Sequence, residues 1–348
     1  MPFPTNTIVI AAAGSGKTTR LVDQALSRST QRLLVTTFTL ENLDQIRTQF
    51  VRQHGCVPSH VTLLPWYTFL LKDCIRPYQG AIVKAVRIGG LYFDVTPSSA
   101  ARIRKSDNPA RYYLTSGNRV YRDRASEFAC DSNARTDGGV VARLEGLYDA
   151  ILIDELQDLA GYDLDLLDLL FDSRTIVIGA CDPRQSILAT NLGRKNGKYH
   201  GDGIATWLQQ PSRSQKIDIQ ELVHSHRCNQ LICDFADALF PDLPKTVSLE
   251  SRTTGHDGIV LVERHAVLQY IDDHQPVILR YRRNSNTMGL EAVNIGVAKG
   301  STFPRVLIFP TKPMLKYLTS KNLVDVGDLP RLYVAVTRAK YSVAFVID

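Results

Sequence analysis

The stretch AAAGSGKTT, residues 11–19, sets a lysine and two threonines behind two closely spaced glycines. That pattern is suited to holding phosphate. Glycines let successive backbone N–H groups turn toward an anion, Lys17 can reach β- and γ-phosphates, and Thr18 offers its hydroxyl to Mg²⁺. Ala13, Gly14, Ser15, Gly16, Lys17, Thr18 and Thr19 are therefore the candidate nucleotide-binding residues. A second stretch, ILIDELQDLAG from Ile151 to Gly161, runs three aliphatic residues straight into Asp154, Glu155 and Asp158. With a Mg-nucleotide on the first stretch, Asp154 becomes a partner of the metal, directly or through its water, and Glu155 the group that orients and deprotonates the attacking water. A glycine turn matching by chance and a solvated acidic turn are the plainer alternatives. The two stretches together outweigh both.

The elements that must position these residues are legible as alternating strands and helices. NTIVI before the glycine turn reads as a strand, and ILI before the acids is a continuous apolar run, as expected of a strand covered on both faces in a parallel sheet. Ligands of such sheets gather at the carboxyl ends of the strands, where both stretches fall. RLLVTTFT and HVTLL read as two more strands, LENLDQIRTQFVRQHG as an amphipathic helix ending at Gly55, YDLDLLDLLFD as a helix and RTIVIGAC as a strand. Glu155, following Asp154 on an extended strand end, is expected to point to the opposite side.

From about Arg76 to Gly139 the period is lost, and a small, irregular, basic insertion is expected there. Between Lys72 and Glu145 there are thirteen Lys/Arg against eight acids, which accounts for most of the net charge of +6. A second α/β unit follows from about residue 221: a helix NQLICDFADALF, then strands GIVLVER, QPVILRY, RVLIFP and SVAFVI. The predicted organisation is a first core domain from 1–71 and 143–220, an insertion at 72–142, and a second core domain at 221–348.

Six scattered cysteines with no C-x-x-C pair, and no His cluster at zinc spacing, suit a reduced, cytoplasmic protein. The opening MPFPTNTIVIAAAGSG has no basic region before its short apolar run, so neither export nor membrane insertion is expected.

With these motifs assembled, the chain resembles the UvrD/Rep-type superfamily 1 helicases, over nearly its whole length. DELQD is similar to the family's D-E-x-Q-D, and TTFTLENLDQIR to T-F-T-x-x-A-A, with Thr37 and Phe38 retained. VTLLPWYTFLL resembles T-x-H-S-F, with Trp66 and Tyr67 at its centre; IGACDPRQSI resembles G-D-x-x-Q-S-I; HSHRCNQLI resembles N-Y-R-S-x-x-x-I. VAKGSTFPRVLIF is similar to S-K-G-x-E/T-F-x-x-V, and LYVAVTRAK to L-Y-V-A-L-T-R-A.

The resemblance implies an α/β P-loop NTPase with two RecA-like core domains, using ATP and Mg²⁺. It implies Glu155, Gln185, Arg227 and Arg338 as catalytic residues, the last two as γ-phosphate arginines, and Thr18 and Asp154 as the metal partners. His226 stands where the family has an adenine-stacking tyrosine. Thr37, Phe38, Trp66, Tyr67 and Lys299 are the implied nucleic-acid contacts.

The chain departs from the pattern in its mechanical parts. Leu188 and Thr190 occupy the positions where the family places base-stacking aromatics. Only 72 positions separate Arg227 from Lys299, too few for the family's large insertion in the second domain. The first expectation is thus a compact ATP-dependent DNA helicase or translocase on single-stranded DNA, with RNA left open. The second is a DNA-stimulated sensor ATPase working with a nuclease partner, by analogy with anti-phage defence systems. A small-molecule P-loop kinase has no use for Arg227, Lys299 and Arg338, and a non-hydrolysing scaffold none for Glu155 and Gln185.

Overall fold

The computed structural model describes residues 6–84, 86–94, 102–191 and 193–348, and the chain divides into two compact units. One comprises Met1–Ile10, Lys17–Cys181 and Leu188–Gln220; the other comprises Ala11–Gly16, Asp182–Ile187 and Glu221–Asp348. Both are built on parallel sheets covered by helices, so the chain is an α/β protein.

In chain order the first sheet is made of β1 (Asn6–Ala11), β2 (Leu33–Thr37), β3 (Val61–Pro65), β6 (Ala150–Ile153), β7 (Ile176–Cys181) and β8 (Ile217–Leu222). Its order is β3-β2-β6-β7-β1-β8. The strands from β3 to β1 pair in parallel, with Thr36 opposite Ile153, Ile153 opposite Gly179 and Ile10 opposite Cys181. Every residue of β2 and β6 is buried, which is why β6 reads as an unbroken apolar run and β2 as LLV followed by two buried threonines.

Two helices, α1 (Lys17–Leu26) and α2 (Leu40–His54), cover one face with Leu21, Val22, Ile46 and Phe50 against Leu33, Val35, Leu152 and Ile178. Helix α2 starts on a Thr39 side-chain cap and stops where Gly55 turns left-handed, φ 84°.

The expected irregular insertion has more structure than its composition suggests. It holds the short parallel pair β4 (Gly90–Tyr92) and β5 (Arg119–Tyr121), helix α3 (Ala125–Arg135) and helix α4 (Gly139–Leu147). Ala125, Phe128 and Ala129 lie at i, i+3 and i+4, and this stripe joins the core on the other face of the sheet. The stripe is short, and Ser126 and Glu127 fall inside it, which hid the helical period. Helix α5 (Tyr162–Phe171) completes that layer with Leu164, Leu167 and Leu170. Each fully buried leucine contributes roughly 1.5–3 kcal/mol over an exposed one.

The second unit carries a short parallel pair, β9 (His224–Ser225) with β10 (Val247–Ser248), and a sheet of five. The sheet comprises β11 (Gly258–Glu263), β12 (Val277–Arg280), β13 (Val293–Asn294), β14 (Phe303–Phe309) and β15 (Ala339–Ile347), ordered β11-β15-β14-β12-β13 and parallel throughout. Helices α6 (Gln230–Asp237), α8 (Lys312–Ser320) and α9 (Leu329–Val336) pack on one face, and α7 (Val267–His274) on the other. The stretch LYVAV, apolar enough to pass for a strand, is most of helix α9. Its Pro330 and the Asp328 cap mark a helix start.

Candidate nucleotide site

Strand β1 delivers the chain into a turn in which Gly14 has φ 75° and Gly16 φ 80°. Only glycine takes these values without strain. At Gly14 space forbids a side chain as well, because a Cβ there would lie 2.5 Å from Arg227 Cβ. Lys17 begins α1, so the first turn of the helix presents N–H groups that have no intrahelical acceptor, at the end of the helix that favours an anion. Ser15 Oγ is buried with no hydrogen-bond partner among the described residues.

In the first unit, Thr18 Oγ1 donates to Asp154 Oδ2 at 2.8 Å, joining residues 136 apart in the chain. Asp154 is 3% exposed; its own N–H is held by Thr36 O on β2, and its Oδ1 accepts from Glu155 N at 3.0 Å. Burial, and then the neighbouring Glu155 charge, raise the Asp154 carboxyl well above the usual carboxylate range; Thr18 and Lys17 oppose this. A divalent cation would relieve the same strain, and Mg²⁺ is commonly bound by one or two carboxylates with water. Among the described residues no group of three or more His, Cys, Asp or Glu is arranged to hold a metal. The Thr18 hydroxyl and the Asp154 carboxylate are oxygen donors of the kind Mg²⁺ takes.

Glu155 does not continue the strand as expected. It sits in the left-handed region, φ 54° and ψ 44°, and its Oε2 accepts from Gln157 Nε2. A non-glycine residue there is uncommon and is concentrated at functional sites. The backbone turn, not strand alternation, separates Glu155 from Asp154.

The second unit brings the remaining catalytic candidates together with the loop. His226 N donates to Gly14 O at 2.9 Å, Ser225 Oγ donates to Ala13 O at 2.8 Å, and the Arg227 guanidinium donates to Thr337 O at 3.2 Å. The His226 side chain is exposed. Arg338 is 1% exposed, far from a solvated surface arginine. It donates to the carbonyls of Val334 and Ser301 and, at 3.2 Å, to Gln185 Oε1.

Two residues were missed by sequence reasoning. Asp182, fully buried, accepts from Gln185 Nε2 at 2.8 Å and from Arg184 Nε at 2.8 Å. Tyr333 donates to Asp182 Oδ2 at 3.3 Å and accepts from Ala13 N at 3.3 Å. Asp182 was visible inside DPRQ as a side chain able to cap its own turn; Tyr333 inside an apolar helix carried no comparable signal.

The other candidates fall elsewhere. Thr19 is exposed beside Gln49, which donates to its hydroxyl at 3.4 Å. Thr37 is buried and its Oγ1 has no partner among the described residues. Trp66 is fully buried and its Nε1 donates to the buried Asp163 at 2.8 Å, so its ring belongs to the core. Tyr67 is 5% exposed, with its hydroxyl on Thr190 O. Lys299 is 8% exposed, in the turn after β13.

No family model and no curated protein matches the chain. Among solved structures it is similar to the PRRSV helicase, at 18% identity and TM-score 0.45, covering 99% of this chain and 52% of that one. It is also similar to the arterivirus nonstructural protein 10 helicase, at 18% identity and TM-score 0.48, covering 98% of this chain and 59% of that one. A structure of that arterivirus helicase with DNA matches at 18% identity and TM-score 0.48, covering 99% and 60%. The chain thus spans between half and three-fifths of the length of these proteins. No helix among the described residues is long and apolar enough to cross a membrane.

Proposed function

We propose that this chain is a Mg²⁺-dependent ATPase of the UvrD/Rep superfamily 1 type that couples hydrolysis to movement on, or remodelling of, single-stranded DNA. The observation that carries the reading is the Thr18–Asp154 hydrogen bond, which unites the phosphate-loop hydroxyl with the first acid of DELQD. Bound there, Mg²⁺ would supply charge neutralisation to the β- and γ-phosphates.

The chain's own residues divide the remaining work. Backbone N–H groups of the glycine turn and of the start of α1, with the Lys17 ammonium, bind the phosphates. Thr18 and Asp154 hold the metal. Glu155 takes the proton of the attacking water, and Gln185 positions that water. Arg227 and Arg338 provide the positive charge that a transferring phosphoryl group requires, typically worth about 10³–10⁵ in rate. A small-molecule kinase would have no need of Gln185 and Arg338 held against each other.

Thr190 favours a second reading within the same chemistry. The position where the family stacks bases is a buried threonine whose hydroxyl is bound to Asp163 and Ala160 N, so the grip on a strand is reduced there. A DNA-stimulated sensor ATPase, working beside a nuclease in anti-phage defence and without processive unwinding, fits that loss. The deciding experiment is ATP hydrolysis with and without single-stranded DNA, beside strand displacement on a tailed duplex. Stimulation with displacement supports the translocase, and stimulation alone the sensor. An absence of stimulation by DNA or RNA would overturn the nucleic-acid half of the proposal.

A further inference from the structure

Phe93 is 54% exposed. One exposed phenylalanine is ordinary on a protein surface. What distinguishes this one is its seat. Its ring meets Tyr67 edge-on, with centroids 5.5 Å apart and planes at 82°. Tyr67 in turn meets Phe38 at 5.8 Å and 66°. The three rings form a ladder that runs from a half-buried ring, through a buried one, to one in solvent. Phe38 follows β2 and Tyr67 follows β3, so the ladder stands at the carboxyl edge of the first sheet, the edge that also carries Thr18 and Asp154.

Edge-to-face pairs are worth about 0.5–1.5 kcal/mol beyond burial, and the Tyr67 hydroxyl is tied to Thr190 O. Phe93 is therefore held in one orientation with its outer surface free, as a preorganised platform should be. Tyr92, the residue before it, turns the other way: its ring meets Tyr121 at 5.7 Å and lies under the Arg119 guanidinium at 5.2 Å. There it lines an open groove of about 900 Å³ with Arg111 and Arg119 and no acid among the described lining residues. Strand β4 and the residue after it thus offer a half-exposed ring on one side and a cationic, aromatic groove on the other, a combination that suits the bases and phosphates of a single strand.

We propose that Phe93, backed by Tyr67 and Phe38, is a base-stacking platform for an unpaired nucleobase, replacing the aromatics absent at Leu188 and Thr190. This rests on the nucleic-acid reading above and names where a base is gripped.

The test is fluorescence anisotropy of a labelled oligo-dT and a labelled oligo-U against the wild-type chain and Phe93→Ala, Phe93→Leu and Phe93→Tyr variants. Loss of a stacked base should weaken binding about fivefold to a hundredfold in Phe93→Ala. Phe93→Leu, which keeps apolar bulk without a π-face, should be nearly as weak, and Phe93→Tyr should restore binding. Melting temperature and strand-free ATP hydrolysis should stay at wild-type values in all three, because the ring is exposed and remote from the phosphate loop in sequence. Wild-type binding with equal affinity in Phe93→Ala would overturn the platform alone. If the wild-type chain binds neither oligonucleotide, the platform falls together with the nucleic-acid reading. Binding lost in Phe93→Ala but kept in Phe93→Leu would replace stacking by plain apolar contact and would also overturn it.

Discussion

Arg338 Nη2 lies 3.2 Å from Gln185 Oε1, a contact between residues 153 positions apart that joins two motifs carrying no local signal of each other. Gln185 is fastened on its other side by Asp182. The glutamine side chain therefore has both ends occupied and links a buried carboxylate to a buried guanidinium. If Gln185 and Arg338 act as a unit in hydrolysis, their effects will not add. Arg338→Ala should lower kcat about 10³-fold with ATP affinity within a few-fold of wild type. Gln185→Ala should also be slow, and the double variant no slower than Arg338→Ala alone. Multiplicative losses in a double-mutant cycle would show that the contact is structural only.

Lys17→Ala should abolish nucleotide binding, measured by a fluorescent ATP analogue, because the ammonium is the phosphate loop's own point charge. Glu155→Gln should bind that analogue as wild type does and fail to hydrolyse ATP, since the amide cannot take a proton. Normal turnover in either variant would refute the assignment of the loop and the base.

Asp154 makes a pH-dependent prediction. Its carboxyl is raised by burial and by the Glu155 charge, so the proton is held to higher pH than in an unfolded chain. A metal must displace that proton, so Mg²⁺ affinity should fall as pH is lowered from 7.5 through the raised range toward 5. The linkage runs the opposite way for metal-free stability: an acid with a raised folded-state pKa is destabilising when ionised, increasingly so as pH rises. Asp154→Asn should therefore melt no lower than wild type at pH 7.5 without Mg²⁺, and should lose metal-dependent hydrolysis. A melting temperature that falls in Asp154→Asn would contradict this account of the carboxylate.

Tyr333→Phe removes one hydroxyl that serves two partners, Ala13 N and Asp182. Each buried group left unsatisfied costs about 1–3 kcal/mol. The variant should melt several degrees lower and bind the ATP analogue more weakly. Asp182 keeps Arg184 and Gln185, so the fold should persist. Wild-type nucleotide affinity in a destabilised Tyr333→Phe would limit the tyrosine to a packing role.

Much of the first unit was legible because its signals are local. A strand buried on both faces is apolar along most of its length, and a tight turn after it places glycines where φ is positive. AAAGSG and the ILI run before Asp154 therefore state their own geometry within a few residues each. The helix Ala125–Arg135 was hidden because its apolar stripe is short and is interrupted by Glu127, Cys130 and Asp131, two of which are satisfied by Lys105 and the tyrosines Tyr112 and Tyr113. Strand β8 was missed for a related reason: as the edge of the sheet it is only partly buried and reads as polar.

The sequence by itself determined the glycine turn after β1, the acids after β6, and the strand–helix alternation, since each depends on backbone conformation and periodicity over one element. Only the tertiary structure decided that Trp66 is core, that Glu155 turns left-handed, that Tyr333 answers Ala13 and Asp182, and that Phe93 stands exposed at the end of a ladder of rings. These depend on which side chains meet across long stretches of chain. Burial and hydrogen-bond satisfaction select those meetings only when all the elements pack at once.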